Sequence, residues 1–274
     1  MGTPIPKELK PSYAIYMRAM RFVPPVLLAI QIPIHRFMDG LWVDLIAFNC
    51  VAIAALISVL LAPRINNTWA QPLTGLAIGS WSIGSIIATV TSYGELPAAF
   101  DNASDGLYLL FYPLALLGLQ LLISSNQKLT VLEIIDASIV GLGLSTLGAA
   151  FALHPVLPHF DGDFNQSFLA IIYPVADLVL LCFIIATVAM QGFSGRGLFL
   201  AIGVAVYAAT DFLFLWQNLN LSYVFGSLID YGWLLAFVLI AESCWHPSTD
   251  NKSKGGVSPV LITISVFLSA TLLV

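Results

Sequence analysis

Charge is scarce in this sequence: only 9% of its 274 residues are Asp, Glu, Lys or Arg, against roughly a quarter in a typical soluble domain. So few charges cannot furnish a water-facing surface for a chain of this size, which argues against a soluble enzyme or binding domain. Cysteine is also sparse. Cys50, Cys182 and Cys244 fall in or at the ends of apolar runs, and their spacing matches neither a zinc site nor a disulfide framework, so they read as free buried thiols. The ten Lys and Arg are dispersed and the formal net charge is −5; phosphate binding wants a clustered basic face, and nucleic acid is set aside as a partner. Catalytic signatures are lacking as well. There is no nucleophile elbow, phosphate loop, HExxH or deaminase pattern, and no two histidines lie at matching depth in apolar runs, so no catalytic residue, haem, metal or other cofactor is expected. No cleavable secretory signal stands out, because residues 1–11 are polar, Lys7, Lys10, Arg18 and Arg21 are spread out, and no small-residue cleavage site follows the first apolar run.

What is present is apolar length. Hydrophobic residues make up 59% of the chain and gather into runs near the ~20 residues that an α-helix needs to cross a ~30 Å hydrocarbon core. Clear runs fall at 41–61, 73–91, 105–123, 131–154, 167–190, 197–219 and 228–245. The expected fold is all-α: a polytopic transmembrane helix bundle of about eight or nine spans over residues 22–274, in contact with membrane lipid, after a cytoplasmic N-terminal segment at 1–21. The run at 22–34 is short and holds Pro24, Pro25 and Pro33, so it is either a distorted span extended back through Tyr13 or an interfacial segment. The last run, 260–274, is apolar to its final residue, and the expectation is that the natural chain continues beyond Val274.

Basic residues orient the bundle. Lys7, Lys10, Arg18, Arg21, Arg64, Lys128, Arg196, Lys252 and Lys254 fall on alternate connections and mark the cytoplasmic side, with Arg36 dissenting. The other loops carry Glu95 and Asp101, then His154, His159, Asp161 and Asp163. A solvated loop describes that histidine pair better than a metal site. This count implies a multi-pass chain with a cytoplasmic N-terminus.

Acidic residues within the runs are the most informative feature, because each costs at least ~2–3 kcal/mol near the bilayer centre unless protonated, paired or hydrated. They are Asp44, Asp105, Glu133, Asp136, Asp177, Asp211, Asp230 and Glu242. Glu133 and Asp136 suit the positive end of a helix dipole. Asp105 and Asp230 each open the pattern Asp-x-x-aromatic-Leu-Leu, through Tyr108 and Trp233, and helix capping explains either one alone. Asp177 and Asp211 lie deeper, with no Lys or Arg in their helix interiors. Either protonated carboxyls bonded to their neighbours or a site for protons, a cation or a small polar ligand accounts for them. The ligand- or proton-binding candidates are Asp105, Asp177, Asp211, Asp230, Tyr173 and Trp233. Tyr173-Pro174 and Tyr112-Pro113 add expected kinks beside the carboxylates. The two Asp-x-x-aromatic-Leu-Leu segments follow Ser92-Tyr93 and Ser222-Tyr223, which hints at a parallel internal repeat.

Three blocks carry a family resemblance: Ser104-Asp105-Gly106-Leu107-Tyr108-Leu109-Leu110-Phe111-Tyr112-Pro113, Ile172-Tyr173-Pro174-Val175-Ala176-Asp177-Leu178, and Gly226-Ser227-Leu228-Ile229-Asp230-Tyr231-Gly232-Trp233-Leu234-Leu235. With His246-Pro247-Ser248 behind them, they resemble the multi-pass N-terminal membrane domain of bacterial GGDEF and EAL cyclic-di-GMP signalling proteins. The resemblance implies a sensory or regulatory input domain that detects a ligand or the membrane state and passes a helix movement to a cytoplasmic output domain, in the same chain or through a homodimer. No GGDEF or EAL segment occurs in these residues. A proton- or cation-coupled secondary transporter is the alternative, and an intramembrane enzyme using Glu242 or His246 is a third reading.

Overall fold

The computed structural model describes residues 11–38, 40–63, 65, 68–94, 97–123, 139, 143, 164–191, 194–224 and 226–247. Among these residues every regular element is helical. The order is α1 (Pro11–Met20), α2 (Val23–Phe37), a π-helical segment (Val43–Phe48) continued by α3 (Asn49–Leu61), α4 (Ala70–Tyr93), α5 (Ala98–Ile123), α6 (Phe164–Gln191), α7 (Gly195–Leu219) and α8 (Asp230–Ser243). Five stretches are long and apolar enough to cross a membrane: Tyr16–Ile34, Val43–Leu61, Ala70–Tyr93, Ala99–Ile123 and Gly195–Leu219. A shorter apolar stretch, Ile172–Val188, lies in α6, and α8 has 14 residues.

The expected spans at 131–154 and 260–274 lie outside the described residues, apart from the isolated positions 139 and 143. So do Glu95, Glu133, Asp136, His154, His159, Asp161 and Asp163, the basic residues Lys7, Lys10, Arg64, Lys128, Lys252 and Lys254, and the side chain of Arg36. The first apolar stretch begins at Tyr16 rather than at residue 22. Its helix breaks at Arg21 and Phe22 and restarts with Pro24 and Pro25 in the first turn of α2, where a missing backbone N–H loses no helical bond.

The bundle has a largely apolar core with polar side chains set into it, and its exterior is apolar as well. Ile53, Leu60, Leu76, Ile83, Leu117 and Leu213 are exposed, whereas Asn49, Thr74, Ser82, Thr89 and Thr210 are buried. An exterior of this kind suits hydrocarbon, where leucine needs no water to hide from. The buried hydroxyls are satisfied locally: Thr74 donates to the Ala70 carbonyl at 2.9 Å, Ser82 to Ile78 at 2.7 Å, Thr89 to Ser85 at 2.8 Å and Thr210 to Val206 at 2.7 Å. This back-bonding lets the Ser- and Thr-rich α4 sit in the interior.

Small residues set the closest helix contacts. A Cβ on Gly118 of α5 would lie 2.6 Å from the Thr74 backbone nitrogen of α4, and one on Gly232 of α8 would overlap the Thr210 side chain of α7. The obstacle at Gly118 is backbone, which cannot rotate away. Gly118→Ala is therefore expected to destabilise the fold by about 1–3 kcal/mol, read as an earlier unfolding midpoint in detergent. Gly106→Ala has open space around the added methyl and serves as the matched control.

Aromatic rings fill the middle of the bundle. Trp81 of α4 meets Phe237 of α8 edge-on at 4.8 Å between centroids, and Phe111 of α5 stacks on Tyr207 of α7 at 4.7 Å. This layer ties four helices together and forms the floor of a cavity.

Candidate functional site

The cavity has a volume of about 800 Å³ and sits at the end of the bundle where α4 and α7 finish and where α5 and α8 begin. Its lining includes four carboxyls (Asp44, Asp105, Asp211, Asp230), five tyrosines (Tyr108, Tyr112, Tyr173, Tyr207, Tyr223), Trp81 and Trp233, and Phe48 and Phe214. Among the described residues that line it there is no Lys, Arg or His.

Each carboxyl is placed by a different device. Asp44 lies in the π-helical segment, where one extra residue per turn leaves carbonyls without their usual N–H. Asn49 answers by donating from Nδ2 to the Leu45 carbonyl at 2.9 Å and to the Asp44 carbonyl at 3.3 Å. The Asp44 carboxylate accepts from the Tyr93 hydroxyl at 2.6 Å, which joins the end of α4 to the start of α3. Asp211, in α7, accepts from the Tyr112 hydroxyl at 3.0 Å and from the Trp233 indole N–H. Asp230 accepts from the Tyr223 hydroxyl at 3.1 Å and from the Gly226 backbone N–H at 2.7 Å. Gly226 has φ +78°, a left-handed conformation that costs glycine little and turns its N–H toward the carboxylate. Burial, then the nearby Asp230 charge, pushes the loop phenol of Tyr223 above its ordinary range, so it remains a donor.

Asp105 is held least. The donor that reaches its carboxylate among the described residues is the Tyr173 hydroxyl, at 3.5 Å, the outer limit of a hydrogen bond.

Asp105 and Asp230 do not act as expected of caps. Helix α5 begins seven residues before Asp105, at Ala98, because polar Asp101 and Asn102 extend the helix beyond its apolar run. Asp230 opens α8 but binds the preceding loop instead of its own first turn. The two Asp-x-x-aromatic-Leu-Leu segments also bond differently: Tyr223 reaches Asp230, whereas Tyr93 reaches Asp44.

Of the six residues singled out from sequence, five line the cavity: Asp105, Tyr173, Asp211, Asp230 and Trp233. Asp177 does not line it. It is 2% exposed near the middle of α6, within interaction range of Asp211 and Tyr112, yet no donor among the described residues reaches either carboxyl oxygen. Tyr207 and Trp81 were not singled out; Tyr108, Tyr112 and Tyr223 figured only in a motif, a kink and a repeat, and Asp44 only as one of the eight acids. The usable signal was aromatic density at one end of four separate apolar runs. The acids do not converge on a metal: no group of three or more His, Cys, Asp or Glu among the described residues could hold one.

The opposite end of α8 carries the other charged cluster. The Arg21 Nε donates to the two Glu242 carboxylate oxygens at 2.9 and 3.0 Å, and its Nη2 donates to one of them as well. His246 Nε2 lies 3.0 Å from Glu242, and its ring stacks on Phe199 at 4.7 Å. Glu242 and His246 are thus engaged in a junction between the α1–α2 turn, α7 and the end of α8.

No protein family, curated protein or solved structure matches this chain.

Proposed function

We propose that this chain is a membrane-embedded sensory or regulatory input domain: a ligand in the cavity biases the packing of α8, which carries the change to the junction at its far end. The observation that carries this reading is that one helix joins both features. Asp230 and Trp233 stand in the cavity, and Glu242 sits in the Arg21 ion pair, 12 residues or about 18 Å further along α8. Arg18, Arg21 and Arg196 lie at the junction end, which supports a cytoplasmic junction and an outward cavity in a bacterial inner membrane. The resemblance to the membrane domains of GGDEF and EAL proteins supports a cytoplasmic output domain as the partner, in the same chain or across a homodimer. A receiver of this kind needs two packings of similar energy, separated by differential ligand affinity. Proline within α5 and α6, and the π-helical segment, are local irregularities that such a bundle can use.

Trp233→Phe tests the reading, because it removes the indole bond to Asp211 while keeping an aromatic ring in place. Hydrogen exchange at residues 242–246 in lipid nanodiscs is expected to change in this variant relative to wild type. Exchange altered only near residue 233 would remove the basis for relay through α8.

A secondary transporter is favoured by one observation, the buried Asp177 carboxyl that no donor among the described residues reaches, since proton relays in transporters use such intramembrane carboxyls. Proton-driven uptake in proteoliposomes that disappears in Asp177→Asn would establish it over the sensor.

A further inference from the structure

The cavity's chemistry narrows what it takes, and the inference below rests on the ligand-binding reading just given. We infer that the ligand is an organic cation: an ammonium group held by Asp105, on an aromatic or aliphatic body seated among the tyrosines and tryptophans.

Sign comes first. An anion would face four carboxyls with no basic side chain among the described lining residues, and a carboxylate-rich pocket of low dielectric repels it strongly. A neutral ligand would leave the acidic lining without use.

Size and wall chemistry come next. A volume of about 800 Å³ matches an organic ligand and far exceeds what a proton or bare ion occupies. The acids do not meet at a metal-binding point; they are distributed around the wall. Aromatic faces dominate between them: Trp81 lies 5.8 Å from Tyr108 and 6.1 Å from Trp233, centroid to centroid. Tyrosine and tryptophan faces beside a carboxylate are the arrangement that recognises ammonium groups, through cation–π attraction combined with an ion pair.

Hydrogen bonding then singles out the anchor. Asp211 accepts from Tyr112 and Trp233, Asp230 from Tyr223 and Gly226, and Asp44 from Tyr93 at 2.6 Å. Asp105 has its Tyr173 contact at 3.5 Å, so its lone pairs are the ones an incoming N–H can claim. Asp177, near Asp211 and Tyr112, is buried behind the wall and does not line the cavity.

The ammonium can arrive as a soluble amine or as a lipid headgroup. Phenethylamine, 2-phenylethanol and phenylacetate share one aromatic body and differ in charge, so they serve as probes of the protein in phosphatidylglycerol nanodiscs. Tryptophan fluorescence and unfolding temperature are the readouts, since Trp81 and Trp233 stand in the wall. Phenethylamine is expected to bind about tenfold or more tighter than the other two. Asp105→Asn is expected to erase that preference, and Asp105→Glu to keep most of it. The variant also corrects for amine partitioning into the lipid. Nanodiscs containing phosphatidylethanolamine separate the two sources: a weakened phenethylamine response there identifies the headgroup amine as the occupant, an unchanged one identifies a soluble amine, and either supports an ammonium site. If the alcohol or the acid binds as well as the amine, the cation inference falls while the ligand-binding reading stands. If no probe of any charge perturbs the protein, both fall together.

Discussion

Replacing Asp177 with leucine is expected to stabilise the protein, by about 2–3 kcal/mol, the scale of inserting an aspartate at the centre of a membrane helix. The side chain is buried near the middle of α6, and no donor among the described residues reaches its oxygens, so leucine removes a group whose desolvation is uncompensated. Its neighbour does not become an orphan. Asp211 keeps the Tyr112 hydroxyl and the Trp233 indole as donors after the change. Asp177→Asn, which retains a polar group in the same place, is expected to gain less. Unfolding of the purified protein in mixed micelles checks both. A gain in stability means the carboxyl is kept for something other than the fold, as intramembrane acids commonly are. A loss of stability from Asp177→Leu would show instead that the contact with Asp211 holds α6 in place, and the transporter reading would lose its motivating residue. The same variant in the nanodisc exchange experiment separates the remaining readings, because a relay through α8 does not require Asp177 whereas proton coupling does.

The apolar runs announced most of the helices, because hydrocarbon imposes helical backbone on any segment that crosses it. Isolated carboxyls in those runs pointed to Asp105, Asp211 and Asp230 for the same physical reason: each is too expensive in lipid to be incidental. The partners were not legible. Trp233 stood out through its spacing from Asp230, yet its indole bonds Asp211 across the α7–α8 contact. That contact depends on how closely Gly232 lets α8 approach Thr210, which no local pattern encodes. Asp44 was visible as an acid but not as part of this cavity, since a π-helical turn rotates side chains relative to the expected 3.6-residue period. The start of α5 was misjudged because hydropathy registers lipid contact rather than helix, and its opening turns carry the exposed Asp101 and Asn102.

Removing the Arg196 side chain is expected to act in the opposite direction and at the other end of the bundle. The residue is buried near the start of α7, where the helix dipole disfavours a cation. Its position is explained by what the guanidinium does there: Nε donates to the His246 carbonyl at 3.0 Å and Nη1 to the Leu122 carbonyl at 3.2 Å. Those carbonyls lie at the end of α5 and just beyond α8, where helical backbone has no N–H left to offer. Arg196→Met keeps the stem and deletes both donors, and with two carbonyls left unsatisfied the expected loss is about 2–4 kcal/mol, read from the unfolding midpoint in mixed micelles. Lysine restores charge but not the fork that spans two acceptors, so Arg196→Lys is expected to recover less than half of that loss. The consequence for signalling is separable from stability. Arg196 fixes the backbone of His246, and His246 in turn contacts Glu242 in the Arg21 junction. At a temperature where Arg196→Met remains folded, hydrogen exchange at residues 242–246 is expected to be fast, and no longer sensitive to Trp233→Phe. An exchange pattern that still responds to the cavity would mean that α8 communicates with the α1–α2 turn through Glu242 and Arg21 alone, with Arg196 serving only as a clamp between α5 and the end of α8.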